Sequence, residues 1–396
     1  MEQFADPMKY ISSISQAGMP YGIIKVIPPT GWSPPCGLDA SCAQQTFCTR
    51  LQRLHLLGQG EPFPDGRSYK LQEYKVMADA FKARFPEFQP TQENLTAAAK
   101  ERGLAAPQAS RMSSHELLTH RMEAKYWSTI EQGTPGLEVE YGNDQDTETY
   151  SSGFLKRACF ARAGSRKVGV GGMGGTTLEA QDYAVVGHAH RNTVEENPLS
   201  VGLKSSVHPR FGDSEYYRET GWNLNNMPHL PSSLLRLVSE AVGGINVPWL
   251  YMGMLFSTFC WHVEDNYLFS INYMHHGEAK CWYGVPGSDA PAFESVMKAH
   301  LHEKFKSDPD LLFQLTTMLS PSTLTAAGVN VACNFALTEW IPWGRKAIEV
   351  YRSAAAPRAS VFCHEKLMLD LARWALSPKA EFTKAQLTTI ADEVHT

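Results

Sequence analysis

The sequence lacks most of the features that mark special classes of protein. None of its eight cysteines, at positions 36, 42, 48, 159, 260, 281, 333 and 363, forms a CxxC pair. A disulfide scaffold is therefore excluded and free thiols in a reducing compartment are expected. Cys36, Cys42 and Cys48 recur every six residues, a spacing that matches no standard zinc pattern. Long apolar runs are also missing: the longest, Val247 to Phe256, is broken by Pro248 and Gly253 and is too short to span a bilayer. Basic charge is scarce, with 36 Lys and Arg against 41 Asp and Glu, a net charge of −5. Base-specific nucleic-acid binding is not expected from that balance, and no basic targeting cluster is visible. The opening Met1 to Asp6 has neither the basic n-region nor the apolar core of a secretory leader. What is present, 396 residues at 43% hydrophobic and 19% charged, predicts a soluble globular chain of one large or two modest domains.

Local signals divide that chain. Asp6-Pro7 predicts a capped helix with Tyr10, Ile11 and Ile14 on its apolar stripe. The β-branched run Tyr21 to Ile27, closed by Pro28-Pro29, predicts a strand. Thr49 is placed to cap a helix through Leu51, Leu54 and Leu57, and Tyr74, Ala78, Phe81 and Phe85 mark a second helix ended by Pro86. Residues 91–113 have weak periodicity and predict a surface connection before a helix carrying Leu118, Met122, Tyr126 and Ile130. Six of the twelve residues 164–175 are glycine, and Gly169 to Gly174 matches the GxGxxG pattern. No strand precedes that match and no helical pattern follows it, so a flexible insertion is expected rather than a nucleotide loop. From Gly221 onward the chain turns aromatic and β-rich, through Trp249 to Tyr251 and Phe256 to Tyr273. After Pro321 helices return, near Arg345 to Arg352 and His364 to Leu376.

The sharpest chemical signal is His262-Val263-Glu264 within a strand-like run. Alternate strand residues share a face, so the imidazole and the carboxylate can grip one metal ion. They make two thirds of the 2-His-1-carboxylate triad that leaves open positions on Fe(II). Taken alone, His-x-Glu is common and favours a satisfied structural pair over a metal site. Ser270 and Asn272 share one face, and Lys280 follows a turn at His276-Gly277. Hydroxyl, amide and ammonium groups can thus converge near the metal pair, where an anionic cosubstrate would gain a charge-assisted hydrogen bond. The plainer alternative is that Lys280 snorkels to the surface.

The run from Phe256 through His262 and Glu264 to Lys280 and Pro286 closely resembles the JmjC domain of histone lysine demethylases. Phe4 to Ile11, Tyr21 to Pro29 and Trp32 to Pro35 resemble the JmjN segment that accompanies it. Gly221 to Asn226, Asn334-Phe335 and Trp340 to Arg345 extend the resemblance to the JARID-type (H3K4) branch. The resemblance implies an α+β fold with a double-stranded β-helix (jelly-roll or cupin) core, a JmjN segment and flanking helices. It implies a JmjN domain at 1–40, a helical region at 41–135, the start of the catalytic region at 136–155, an insertion at 156–212, JmjC at 213–352 and a helical end at 353–396. It further implies that His262 and Glu264 bind Fe(II), that Lys280 pairs with the distal carboxylate of 2-oxoglutarate, and that Asn272, Ser270 and Tyr141 hydrogen-bond the cosubstrate or its neighbours. Tyr141 lies in Val139-Glu140-Tyr141-Gly142, which matches a V-E-Y-G turn of the family, and Phe259 would line the pocket. The implied activity is oxidative removal of N-methyl groups from a lysine of the histone H3 tail, in the nucleus, with chromatin complexes as partners.

One stretch departs from the family pattern. The segment that carries the distal metal-binding histidine is absent, and Leu319 to Val329 runs straight into Asn330 to Phe335. His275, His276, His300, His302 and His364 have no strand position beside His262 that would let them substitute. Loss of that segment predicts an incomplete core and a weakened metal site, so a JmjC-like module that binds histone tails or partners without oxidising them stands beside the demethylase.

Overall fold

A computed structural model describes residues 4–38, 44–157 and 212–328, and beyond them 346–347, 350–352, 360, 362, 364–376 and 384–395. The glycine-rich stretch 164–175 and the interrupted junction with its Asn334-Phe335 and Trp340 to Arg345 motifs lie outside the described residues.

Asp6 caps helix α1, Pro7–Gly18, by accepting hydrogen bonds from the amides of Met8 and Lys9 at 3.0 and 3.2 Å. Met8 and Ile11 turn inward with Phe4 and join Trp32, Phe154, Tyr217, Trp222 and Met227 in an aromatic cluster. Phe4 stacks on Trp222 with ring centroids 4.3 Å apart, and the indole Nε1 donates to the Phe4 carbonyl at 2.7 Å. The strand expected at Tyr21 to Ile27 is not formed, and Tyr21 and Ile27 are exposed. A β-branched composition favours extended backbone, but a strand needs a neighbour to pair with.

Four strands, β1 (Thr46–Arg53), β2 (Asp65–Lys70), β3 (Glu138–Asp146) and β4 (Trp249–Met252), form one antiparallel sheet in the order β2-β1-β3-β4. Thr49 therefore caps no helix. It lies inside β1, where burial of Phe47 and Thr49 follows the period of two, and its hydroxyl points at Glu140 Oε2 and the Arg67 carbonyl, each 2.7 Å away. Leu54 and Leu57 fall on a short 3-10 helix, Leu54–Gln59, and are fully buried.

Helix α2 (Leu71–Lys82) buries the predicted Tyr74 and Phe81. Helix α3 (Gln92–Glu101) replaces the expected surface connection: Thr91 accepts a bond from the Asn94 amide at 3.2 Å, and Ala98 and Ala99 pack on Leu117 and Leu118. The fully buried part of its apolar face is Ala98 and Ala99, whose weak hydrophobic signal hid the helix. Helix α4 (Ser114–Gln132) starts from a capping box in which Glu116 accepts from the Ser113 amide at 2.8 Å, and it buries Leu118, Tyr126 and Ile130. Phe81, Phe85, Phe88, Tyr126 and Ile130 meet Phe256 in the core between the sheet and the helices. Helix α5 (Ala290–His300), helix α6 (His364–Ala375) and helix α7 (Lys384–His395) complete the larger elements, and α6 packs on Leu234, Val238 and Leu268.

The described chain is thus α+β, as expected. Between β4 and α5, however, the strand predicted at Phe256 to Tyr273 has no ladder. The run is broken by a 3-10 turn at Asp265–Tyr267, and Phe256, Asn266 and Tyr267 hold φ of 71°, 55° and 53°. Side chains take over the work of a neighbouring strand: Gln52 Nε2 donates to the Thr258 carbonyl and Gln52 Oε1 accepts from the Thr258 amide, both at 2.8 Å. Trp261 is tied by its amide to the Thr317 carbonyl at 3.1 Å and by its indole to the Leu319 carbonyl at 2.9 Å. No helix among the described residues is long and apolar enough to cross a membrane.

Candidate functional site

Strands β3 and β4 bring Tyr141 and Tyr251 to one side of the run that carries Phe259 and Lys280. The Lys280 Nζ lies 4.3 Å from the ring centroid of Phe259, and 5.3, 5.4 and 5.7 Å from those of Tyr251, Trp282 and Tyr141. It also donates to the Tyr141 hydroxyl at 3.1 Å. Aromatic faces favour a cation but do not neutralise it. Among the described residues no carboxylate pairs with Lys280, and burial pushes its pKa down to about 8. Such a group is stabilised by an anion that enters beside it. Tyr141 is buried and burial raises its pKa, so the phenol keeps its proton. Because Lys280 donates to the phenol oxygen, the phenol hydrogen remains available for an incoming carboxylate.

The second group is His262 and Glu264. His262 Nδ1 bonds to the Cys260 carbonyl at 2.8 Å, which places the lone pair of the neutral ring on Nε2. That Nε2 lies 3.7 Å from Glu264 Oε1, within the span of two donors each about 2.1 Å from one ion. Burial works against charge on both groups, but their mutual attraction outweighs it, raising the His262 pKa and lowering that of Glu264. Ser270 adds a hydrogen bond that also lowers the Glu264 pKa. The Phe259 and His262 rings, 6.3 Å apart, join this pair to the Lys280 surround. Asn272, predicted to converge with Ser270, is exposed and among the described residues makes no hydrogen bond to either group.

Comparison with known proteins gives these groups a context. Residues 1–28 match the model of the jmjN domain, and residues 249–334, which include His262, Glu264 and Lys280, match that of the JmjC domain, hydroxylase. Lysine-specific demethylase JMJ703 of Oryza sativa subsp. japonica is 33% identical, over 95% of this chain and 30% of its own length. Lysine-specific demethylase JMJ17 of Arabidopsis thaliana is 36% identical, over 64% of this chain and 20% of its own. Lysine-specific demethylase 5B of Gallus gallus is 31% identical, over 77% of this chain and 17% of its own. The chain carries JmjN and JmjC domains and is homologous to the lysine-specific demethylases. It spans about a third or less of the length of these curated relatives.

Within this JmjC homologue the two halves of the site differ in completeness. The Lys280 surround fits a dicarboxylate: a half-buried ammonium with no carboxylate partner among the described residues faces a phenol that still holds a hydrogen to donate. The donor set for iron does not fit a full facial triad. No histidine occurs between His302 and His364, and no group of three or more metal-capable side chains gathers among the described residues. His275 serves packing, wedged between Phe154 and Tyr273 at 4.4 and 4.8 Å, with its Nε2 donating to the Ser152 carbonyl at 3.1 Å. Two members of the Lys280 surround, Tyr251 and Trp282, were not singled out from the sequence. Aromatic residues flanking a candidate lysine were the available signal, but which of them face it depends on the β3–β4 register.

Proposed function

We propose that this chain carries the JmjN and JmjC parts of a nuclear, Fe(II)- and 2-oxoglutarate-dependent histone H3 lysine demethylase of the H3K4 branch. Its JmjN segment is 1–40 and its JmjC core 213–352. The reaction is hydroxylation of an N-methyl group, with release of formaldehyde and of succinate from the cosubstrate. The single observation that supports it best is the half-buried Lys280 ammonium, surrounded by aromatic rings and lacking a carboxylate among the described residues. In this proposal Lys280 holds the distal carboxylate of 2-oxoglutarate and Tyr141 donates to it. Phe259 walls the pocket, and Ser270 steadies Glu264. His262 and Glu264 supply two iron ligands.

The incomplete donor set favours a second function for the chain as it stands, a catalytically inactive JmjC module that binds the H3 tail or chromatin proteins. One assay separates the two. The chain is incubated with a methylated H3 peptide, saturating Fe(II) and 2-oxoglutarate, and formaldehyde and succinate are measured. Stoichiometric production of both establishes the demethylase. No turnover, with peptide binding that survives a chelator, establishes the inactive module.

A further inference from the structure

Lys280 sits on a run that no ladder holds: among the described residues, no backbone–backbone hydrogen bond involves residues 270–285. Two side-chain clamps flank it instead, and both reach the helical layer. On one side, Glu278 Oε1 accepts from Lys82 Nζ, the last residue of α2, and Glu278 Oε2 lies against His115 Nδ1 in the first turn of α4, each at 2.8 Å. On the other side, the Tyr283 hydroxyl donates to Glu123 Oε1 at 2.5 Å and accepts from Trp127 Nε1 at 3.1 Å, both from α4. The Trp127 and Tyr283 rings also meet edge-on at 5.1 Å. The same helix grips the opposite wall of the site, where the Tyr126 and Thr258 hydroxyls lie 2.8 Å apart, next to Phe259.

We infer that Glu278 and Tyr283 are positioning residues for Lys280, and that α4 sets where the ammonium lies among its aromatic neighbours. The inference rests on Lys280 being the carboxylate partner proposed above. Neither residue touches the ammonium or the ligand. Each fixes one end of a short span that no backbone–backbone hydrogen bond among the described residues holds, so release of either lets Lys280 swing outward and water enter. Glu278 is 63% exposed, so its ion pair with Lys82 is weak and its loss has a modest effect. The Tyr283 bond ends on a carboxylate and is half-buried, and its loss has the larger one.

The test uses the whole chain carrying Glu278→Gln or Tyr283→Phe, with Lys280→Ala as reference. The pH profile of Lys280 acetylation by acetic anhydride is read by mass spectrometry, and 2-oxoglutarate affinity without iron is measured by calorimetry. In Tyr283→Phe the acetylation midpoint moves up from about 8 toward that of an ordinary lysine, and affinity falls about tenfold. Glu278→Gln, on the surface and tolerated by the fold, moves both in the same direction, with affinity down about threefold. A merely structural role lowers the melting temperature and leaves midpoint and affinity in place, and that result overturns the inference. If the wild-type chain and Lys280→Ala bind 2-oxoglutarate equally, the carboxylate role of Lys280 fails, whereas a shifted midpoint in the two variants still upholds the positioning.

Discussion

Lys280 is an ammonium that the fold has stripped of much of its water and surrounded with rings instead of a counter-charge. Its folded pKa lies below the ordinary lysine value, so the group is charged below about 8 and neutral above it. A dicarboxylate needs the charged form. With Lys280 as the carboxylate partner proposed above, affinity for 2-oxoglutarate is expected to hold below about pH 8 and to be lost as pH rises through it, whereas any weak binding left in Lys280→Ala is expected to show no such step. Calorimetric titration at a series of pH values checks this. Close packing also dictates a glycine. Gly153 has φ of 79°, and a Cβ there would meet the His275 ring at 2.5 Å. Only a glycine lets the Ser151 to Leu155 turn lie against the histidine that caps it.

At the scale of elements, one carboxylate ties three strands together. Glu140 on β3 accepts from Tyr69 and from the backbone amide of Arg67 on β2, both at 2.8 Å, and from Thr49 on β1 at 2.7 Å. Burial works against the charged carboxylate, but the bonds from Thr49, Arg67 and Tyr69 prevail and hold its pKa below the usual carboxylate range. A depressed carboxylate contributes stability that is fully present above its unfolded pKa, about 4.3, and lost as pH falls through the folded value. Glu140→Gln is expected to cost about 2 kcal/mol near neutrality, with the gap from wild type closing under acid, as urea denaturation at several pH values will show. Elements were legible where a cap or a bulky stripe announced them: Asp6 for α1, Tyr74 and Phe81 for α2, Tyr126 and Ile130 for α4. They were not legible where the signal was small or shared. The alanine face of α3 is weakly hydrophobic, and Leu51, Leu54 and Leu57 suit a helix locally although β1 is decided by pairing with β2 and β3.

At the scale of the whole molecule, the ends of the chain are bound to its middle. Phe4, Met8, Ile11 and Trp32 close on Tyr217, Trp222 and Met227, nearly two hundred residues away, and Trp222 is both a stacking partner and a hydrogen-bond donor to Phe4. Trp222→Ala removes a buried indole and is expected to cost about 3–5 kcal/mol. It frees the first segment before the rest of the chain unfolds, so limited trypsin digestion should release the amino-terminal residues at a temperature at which the wild-type chain is intact. Intact digestion kinetics in the variant would show that the JmjN segment is held by other contacts.

The sequence by itself determined the chemistry on offer: an imidazole and a carboxylate two residues apart, a lysine beyond a turn, a JmjN-like opening, and no second histidine where a facial triad needs one. Those are properties of order and identity along the chain, and they survive any rearrangement of the fold. Which groups meet was decided only by tertiary structure. Tyr251 reaches Lys280 because β4 pairs with β3 in one register, and Ser270 turns to Glu264 while Asn272, two residues on, faces solvent. The run from Phe256 to Tyr273 alternates like a strand, yet a ladder requires a neighbour, and among the described residues the Gln52 side chain, not a strand, pairs with the Thr258 backbone. Alternation along a chain sets the faces of a strand, whereas its existence depends on what lies beside it.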